Sequence, residues 1–422
     1  MIHFTIARAL KSRVLRLACT SALFVSTYSI ISPAQVIPIY PITTVDTVNH
    51  LGYFSDPYHV PYTPNQGIYI AGTTQGYLQC GTALEPQCAG STLGANTYTS
   101  GQALLNQASG NADICSAAGI HPHQNNDGSW DAVVTLHVQP VGTCSQGSGI
   151  SGWSVIVHAH PNTSGSTVPP GAWTGDSLLI GSFSTPVDAN YDGKYFQTPN
   201  NELYLVYSKE LSSTPHRDGV VARLMSDPET LAAGSSDVVL LAPDDIYNSE
   251  DYTAGDDSFK LIETGNIRAY NGKFIMAYSV GAFDHNSYKL GVAYSDTFIP
   301  ANGGQYRKVT KANPNALWGT SGREVYYLLQ ADQNVSGWHY VGDSVLAPGV
   351  PTVASIGPNN AWVLTFAGYD PNDAPRVQGT SKYVANHRRP YFININMAVP
   401  STGTVAAASD DELQNWITPV HQ

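Results

Sequence analysis

Three short, strand-like stretches of this chain each follow an acidic residue at nearly the same distance. Asp56 stands thirteen residues before Tyr69 in GIYIAGTT, Asp192 twelve before Tyr204 in NELYLVYS, and Glu263 eleven before Phe274 in GKFIMAYS. Two further stretches, GWSVIVHAH around Trp153 and NAWVLTFAG around Trp362, share the strand character without an upstream carboxylate. Recurrence at roughly 50 to 90 residues points to one structural unit used five times. Four-stranded sheets repeated radially satisfy this pattern and keep exposed edges short. The expected fold is therefore all-β, a five-bladed β-propeller, with units at 50–115, 128–183, 187–242, 258–312 and 335–397. A β-sandwich leaves the offsets unexplained, and a β-helix needs a shorter, stricter repeat. Closure is expected from pairing of residues 37–49 with the last unit near 390–397. Equivalent positions then surround one axis, so acids distant in sequence meet in one pocket and offer acid–base chemistry.

The ends constrain the setting. Arg8, Lys11, Arg13 and Arg16 form a positive n-region, Leu17 to Ile31 an apolar core, and Ser32-Pro33-Ala34 a small-residue cleavage site. This reads as a signal peptide over 1–34, with 35–422 the mature single domain and a secreted, extracellular location. The apolar run is shorter than the roughly 20 residues of a membrane span, so no membrane partner is expected. Cys80, Cys88, Cys115 and Cys144 remain after cleavage. Four cysteines allow three pairings; Cys80–Cys88 and Cys115–Cys144 are favoured because each closes a Gly-, Ser- and Asn-rich loop. A disulfide-bearing insertion near 80–144, irregular over 80–127, is expected to overhang one face, and only Gly101 to Ala108 reads as helix. Asn162 and Asn334 begin glycosylation sequons. The net charge of −12 argues against nucleic acid as a partner and suits a neutral polysaccharide. A monomer is expected.

Among the acids, Asp56 in Ser55-Asp56-Pro57 and Asp192 in Tyr191-Asp192-Gly193 also fit turn devices. Glu263 is different. It follows apolar Leu261 and Ile262, which marks a carboxyl entering a pocket, where desolvation raises a carboxyl pKa as a general acid requires. The tryptophans, including Trp130, serve as core or as stacking platforms for sugar rings. His50, His59, His121, His123 and His285 show no metal-ligand spacing, and His121-Pro122-His123 reads as a surface turn. No metal and no cofactor is expected.

At these positions the sequence resembles glycoside hydrolase family 43, the five-bladed arabinofuranosidases and xylosidases, from about Leu51 to Ile395. The family's Asp-Pro motif is matched by Asp56-Pro57, its Ile-Asp-Gly-Thr-x-Phe by Tyr191-Asp192-Gly193-Lys194-Tyr195-Phe196, and its Glu-Gly-Pro by Glu263-Thr264-Gly265, followed by Tyr278-Ser279 and Tyr294-Ser295. The resemblance implies an inverting glycosidase with Asp56 as general base, Asp192 as the residue that positions the acid and keeps its pKa high, and Glu263 as general acid. It also implies substrate contacts at Trp130, where the family has Trp-Ala-Pro, and at Arg389 in His387-Arg388-Arg389-Pro390. His285 joins them as a candidate contact. Val350 in Ala347-Pro348-Gly349-Val350 stands where the family has a His that helps hold a central ion, so that ion is not expected here. The implied substrate is an arabinose- or xylose-containing plant cell-wall polysaccharide or oligosaccharide. α-L-Arabinofuranosidase comes first, then β-xylosidase and exo-galactanase, with a non-catalytic glycan-binding propeller as the rival.

Overall fold

Strand pairing in the computed structural model repeats one motif along the chain, an antiparallel meander. The structure describes residues 39–41, 57–60, 68–71, 77–80, 92–94, 97–144, 152–165, 170–186, 189–253, 257–312, 323–330, 345–356 and 361–420. Asp56, Cys88 and 1–34 lie outside them. Ile37–Gln422 form one compact unit, nearly all β. Among the described residues no helix is long and apolar enough to cross a membrane.

The first meander is Tyr58–His59, Ile68–Ala71, Tyr77–Cys80 and Thr92–Gly94. The second is Ala112–Gln124, Trp130–Pro140, Trp153–Pro161 and Ala172–Ile180, edged by a parallel strand, Thr97–Ser100. The third is Asn190–Gln197, Leu203–Ser213 and His216–Asp227, the last also pairing Val238–Leu241. The fourth is Phe259–Tyr270, Lys273–Val280 and Lys289–Ser295, extended by Tyr327–Gln330. The fifth is Leu346–Ile356, Ala361–Tyr369 and Arg389–Met397. Its outer strand pairs with Tyr40–Pro41, Tyr40 opposite Phe392, so the expected closure by the N-terminal stretch is present. Ile417–Pro419 pairs on the same strand.

Two expectations need correction. Residues 112–124 are not part of an irregular insertion but the first strand of the second meander, so His121 and His123 are buried strand residues rather than a surface turn. The expected Cys115–Cys144 disulfide is present, and it ties the start of that strand to the segment following the second. The helix expected at 101–108 is Gln102–Ala108. A second helix, Asp410–Trp416, opens with a capping box between Ser409 and Glu412 and plants Leu413 and Trp416 against the fourth and fifth meanders.

The core lies between meanders. In Trp153–Pro161 the period of two sends Val155, Val157 and Ala159 into one cluster with Trp130, Trp153 and Trp173, while Ile156 enters another with Tyr195, Leu205 and Val221 of the third meander. A strand covered on both faces reads as a near-continuous apolar run, which is why SVIVHA looks the way it does.

Candidate active site

The first strands of successive meanders carry the same irregularity at the same place. Register slips between Tyr191 and Lys194, between Glu263 and Asn266, and between Gly349 and Thr352. At each slip two residues face one, and the first of the two has left-handed backbone: Asp192 at φ 56°, Thr264 at 57° and Val350 at 54°. Gly119, at φ 62°, marks the corresponding slip in the second meander. Such bulges bend a strand and re-aim side chains. The bulges at Asp192, Thr264 and Val350 are each held by a hydroxyl from the second strand of the preceding meander. The Asp192 N–H donates to Thr135 Oγ1 at 3.0 Å, the Thr264 N–H to Ser208 Oγ at 2.9 Å, and the Val350 N–H to Ser279 Oγ at 2.7 Å.

In two of these bulges the second residue is a glycine, and the packing explains why. A Cβ on Gly193 would stand 2.6 Å from Val133 Cγ1, and one on Gly265 2.7 Å from Val220 Cγ1. Only glycine lets the first strands approach the preceding meander this closely.

Register also refines the offsets read from sequence. Tyr191 faces Ser208 and Glu263 faces Ser279, so Glu263 is the counterpart of Tyr191, and Asp192 the counterpart of Thr264. The two acids are displaced by one residue and are not strictly equivalent. They nevertheless converge. The Tyr191 hydroxyl donates to Asp218 Oδ2 at 3.1 Å, and burial together with the charges of Glu263, Asp218 and Asp192 pushes its phenol well above the usual range.

Glu263 is buried, and its Oε1 accepts the Tyr288 hydroxyl at 2.6 Å. Burial and the adjacent Glu263 push the Tyr288 phenol far up, so it remains a donor. Gly349 passes against the Tyr288 ring, where a Cβ would meet Cε1 at 1.9 Å. The Arg388 guanidinium lies 5.7 Å from the centre of that ring. Beside Asp192, the Lys194 ammonium donates to the Asp192 carbonyl at 3.3 Å, and His121 Nδ1 donates to the Gly193 carbonyl at 2.7 Å. Burial first, then Lys194, holds His121 well below its normal pKa, so the ring is neutral.

The remaining candidates fall out differently. Asp56 lies outside the described residues, but Pro57 and Tyr58 after it are described. The Pro57 carbonyl accepts Thr352 Oγ1 at 3.2 Å, and the Tyr58 ring meets His121 edge-on at 4.9 Å. Trp130 is 4% exposed within the core of the second meander; it is packing, not a platform for sugar. Arg389 is ion-paired to Asp370 at 3.0 Å and to Asp373. Arg388, not Arg389, is the arginine turned toward the Tyr288–Glu263 pair. His285 Nδ1 lies 2.6 Å from Asp284 Oδ1, and its carbonyl accepts the Tyr288 N–H, which sets it in the turn that delivers Tyr288. Tyr288, Tyr191 and Asp218 escaped the sequence reading because their roles arise from cross-strand and cross-meander contacts. A cavity of about 790 Å³ follows the first strands beyond the bulges, lined by Tyr58, His123, Lys194, Asn266, Arg268 and Trp362. Neither Asp192 nor Glu263 lines it, so the carboxyl chemistry is not located there.

The architecture matches solved glycoside hydrolases. A thermostable family-43 glycoside hydrolase superposes with a TM-score of 0.53 at 14% identity, over 90% of this chain and 96% of that one. An α-L-arabinofuranosidase from Lactobacillus brevis gives 0.52 at 14% identity, over 83% and 96%. An exo-1,5-α-L-arabinanase from a bovine ruminal metagenomic library gives 0.52 at 16%, over 87% and 97%. The resemblance to family 43 is thus one of fold along nearly the whole chain. No protein-family model and no curated protein sequence matches the chain.

Proposed function

We propose that this chain is a secreted, inverting glycoside hydrolase built as a five-bladed β-propeller, acting on arabinose- or xylose-containing plant cell-wall polysaccharide, foremost as an α-L-arabinofuranosidase. The observation that carries the reading is Glu263, a buried carboxyl held by the Tyr288 hydroxyl and sharing the neighbourhood of Tyr191 with Asp192 and Asp218. The similar solved structures named as an arabinofuranosidase and an arabinanase support the substrate class.

In this mechanism Glu263 gives its proton to the glycosidic oxygen as the bond to the anomeric carbon breaks. Asp56 takes a proton from the water that attacks that carbon from the opposite face. Asp192 orients Glu263 and, by like charge, favours its protonated form before reaction. One displacement inverts the anomeric centre, which requires the working carboxyls to stand roughly 6.5–9.5 Å apart. The test is hydrolysis of aryl α-L-arabinofuranosides, aryl β-xylosides and galactan oligosaccharides, then arabinan and arabinoxylan, with the first-formed sugar followed by proton NMR. The expected product is the inverted anomer of arabinose. Retention of configuration would overturn the roles of Asp56 and Glu263, and binding without turnover on every glycan would favour the lectin. N-terminal sequencing of exported protein should read from Gln35.

A further inference from the structure

We propose that His158, Asp176 and Glu229 form a binding site for a divalent transition metal, of the zinc class, bridging the second and third meanders. The site is separate from the carboxyl cluster around Glu263 and stands independently of the hydrolase reading. It also departs from the sequence expectation of no metal.

Period-two alternation builds it. Asp131 shares the parity of Val133 on one strand, and His158 and His160 that of Ile156 on the next. Val133 and Ile156 pack toward the third meander, so these polar side chains face the same way. Asp176 belongs to the fourth strand, whose register slips between Gly175 and Ser177. It is the extra residue of that bulge, and the bulge turns its carboxylate onto the two histidines. Glu229 comes from the turn after His216–Asp227 in the third meander. One ligand atom from each of His158, Asp176 and Glu229 lies within 4.8 Å of the others.

The surroundings have the form of a prepared ligand set. His158 is fully buried, with Nε2 2.8 Å from Asp131 Oδ1 and Nδ1 2.6 Å from Asp176 Oδ1. Asp131 is itself held by Asn125 Nδ2 at 2.5 Å. A carboxylate on one ring nitrogen fixes the ring and its tautomer and raises the ligand strength of the other, the arrangement found behind most metal-bound histidines. His160 Nδ1 holds the second oxygen of Asp176 at 2.6 Å, and the ion would take the place of the proton between His158 Nδ1 and Asp176 Oδ1. Asp131, Asp176, Glu229 and Asp227 all bear on the buried Tyr195 phenol. Among the described residues no lysine or arginine is ion-paired to Asp131, Asp176 or Glu229. His158, set between Asp131 and Asp176, offsets part of that gathering of negative charge, and a divalent cation would offset more. Imidazole with carboxylates suits Zn²⁺ and its neighbours, whereas an all-oxygen set would suit Ca²⁺. Bonds of about 2.0–2.2 Å require His158 Nδ1 and Asp176 Oδ1 to part slightly around the ion and Glu229 to close in, and exposed Glu229 on its turn is the member placed to do so.

The test uses the full mature chain, stripped with chelator and dialysed. Titration with ZnCl₂ by calorimetry should give one site of micromolar or tighter affinity and a rise in melting temperature, with NiCl₂ also binding and CaCl₂ inert. Glu229→Gln removes an exposed ligand without disturbing the core. It should leave the metal-free melting temperature unchanged and weaken zinc at least tenfold. His158→Gln should abolish binding. If that variant misfolds, Asp176→Asn serves in its place, with metal-free circular dichroism as the check on fold. No zinc binding below 100 μM, or the same affinity in wild type and Glu229→Gln, would overturn the site.

Discussion

The Tyr288 hydroxyl donates to Glu263 Oε1 across 2.6 Å, from the residue just before the third strand of the fourth meander toward its first strand. Both side chains are buried. The ring is locked by Gly349 on one side and faces Arg388 on another. The carboxyl therefore has one orientation, set by three different segments of chain.

Glu263→Gln keeps the shape of the side chain but removes its transferable proton. Turnover on arabinan-type polymers should fall by several orders of magnitude. Aryl glycosides with good leaving groups should lose far less, because they need no protonation. Tyr288→Phe should act through position: kcat falls roughly 10–100-fold with KM little changed, and folding stability drops by about 1 kcal/mol for the lost buried hydrogen bond. Equal losses on polymer and aryl substrates in Glu263→Gln would remove it from the role of acid.

Asp192 has two jobs that substitution separates. Its left-handed backbone, φ 56°, is tolerated by Asn nearly as well as by Asp but disfavours Ala by roughly 1 kcal/mol. Asp192→Asn should therefore retain the wild-type melting temperature and lose activity, while Asp192→Ala loses both. Thermal melts beside initial rates distinguish the two effects. Full activity in Asp192→Asn would show that its charge is not used.

The disulfide between Cys115 and Cys144, 29 residues apart, closes a loop around the first hairpin of the second meander. Cys115→Ser with Cys144→Ser should cost a few kcal/mol in the chain-entropy account and lower the melting temperature by several degrees. Denaturant curves measure this, and an unchanged midpoint would mean the loop is already constrained without it.

Burial brings His123 down to about 4, below its unfolded value near 6.5. Between those values the unfolded chain binds more protons, so stability falls as pH drops through that window. The loss from this one group is about 2 kcal/mol by pH 5. His121 is depressed in the same sense. Urea midpoints at pH 7 and pH 5 should diverge strongly in the wild type and less in His123→Gln; equal divergence in both would assign the acid sensitivity elsewhere.

Much of this is legible in the sequence. The strand runs around Tyr204, Phe274 and Trp362, the closure near residue 392, the Cys115–Cys144 bridge and the apolar flank of Glu263 are local or periodic signals, and each corresponds to what is observed. His121 and His123 were misread as a turn because Pro122 between two polar residues looks like one. In fact Pro122 sits in a strand with a bulge and pairs Ala132. Trp130 was read as a sugar contact from its motif, whereas its side chain is spent on the core.

Sequence alone determined the repeating unit and singled out Asp192 and Glu263, which lie on the first strands of their meanders, because a period of two and a turn every few residues are written into consecutive positions. Tertiary structure decided which of them act together. The Asp192 bulge is held by Thr135, 57 residues earlier, and the Thr264 bulge by Ser208, 56 earlier. Glu263 is gripped by Tyr288, 25 residues later, and His158 reaches Glu229 only where two meanders pack. Such pairings leave no local pattern, since a hydroxyl or a carboxylate acquires its partner only when burial brings separate strands within hydrogen-bonding distance.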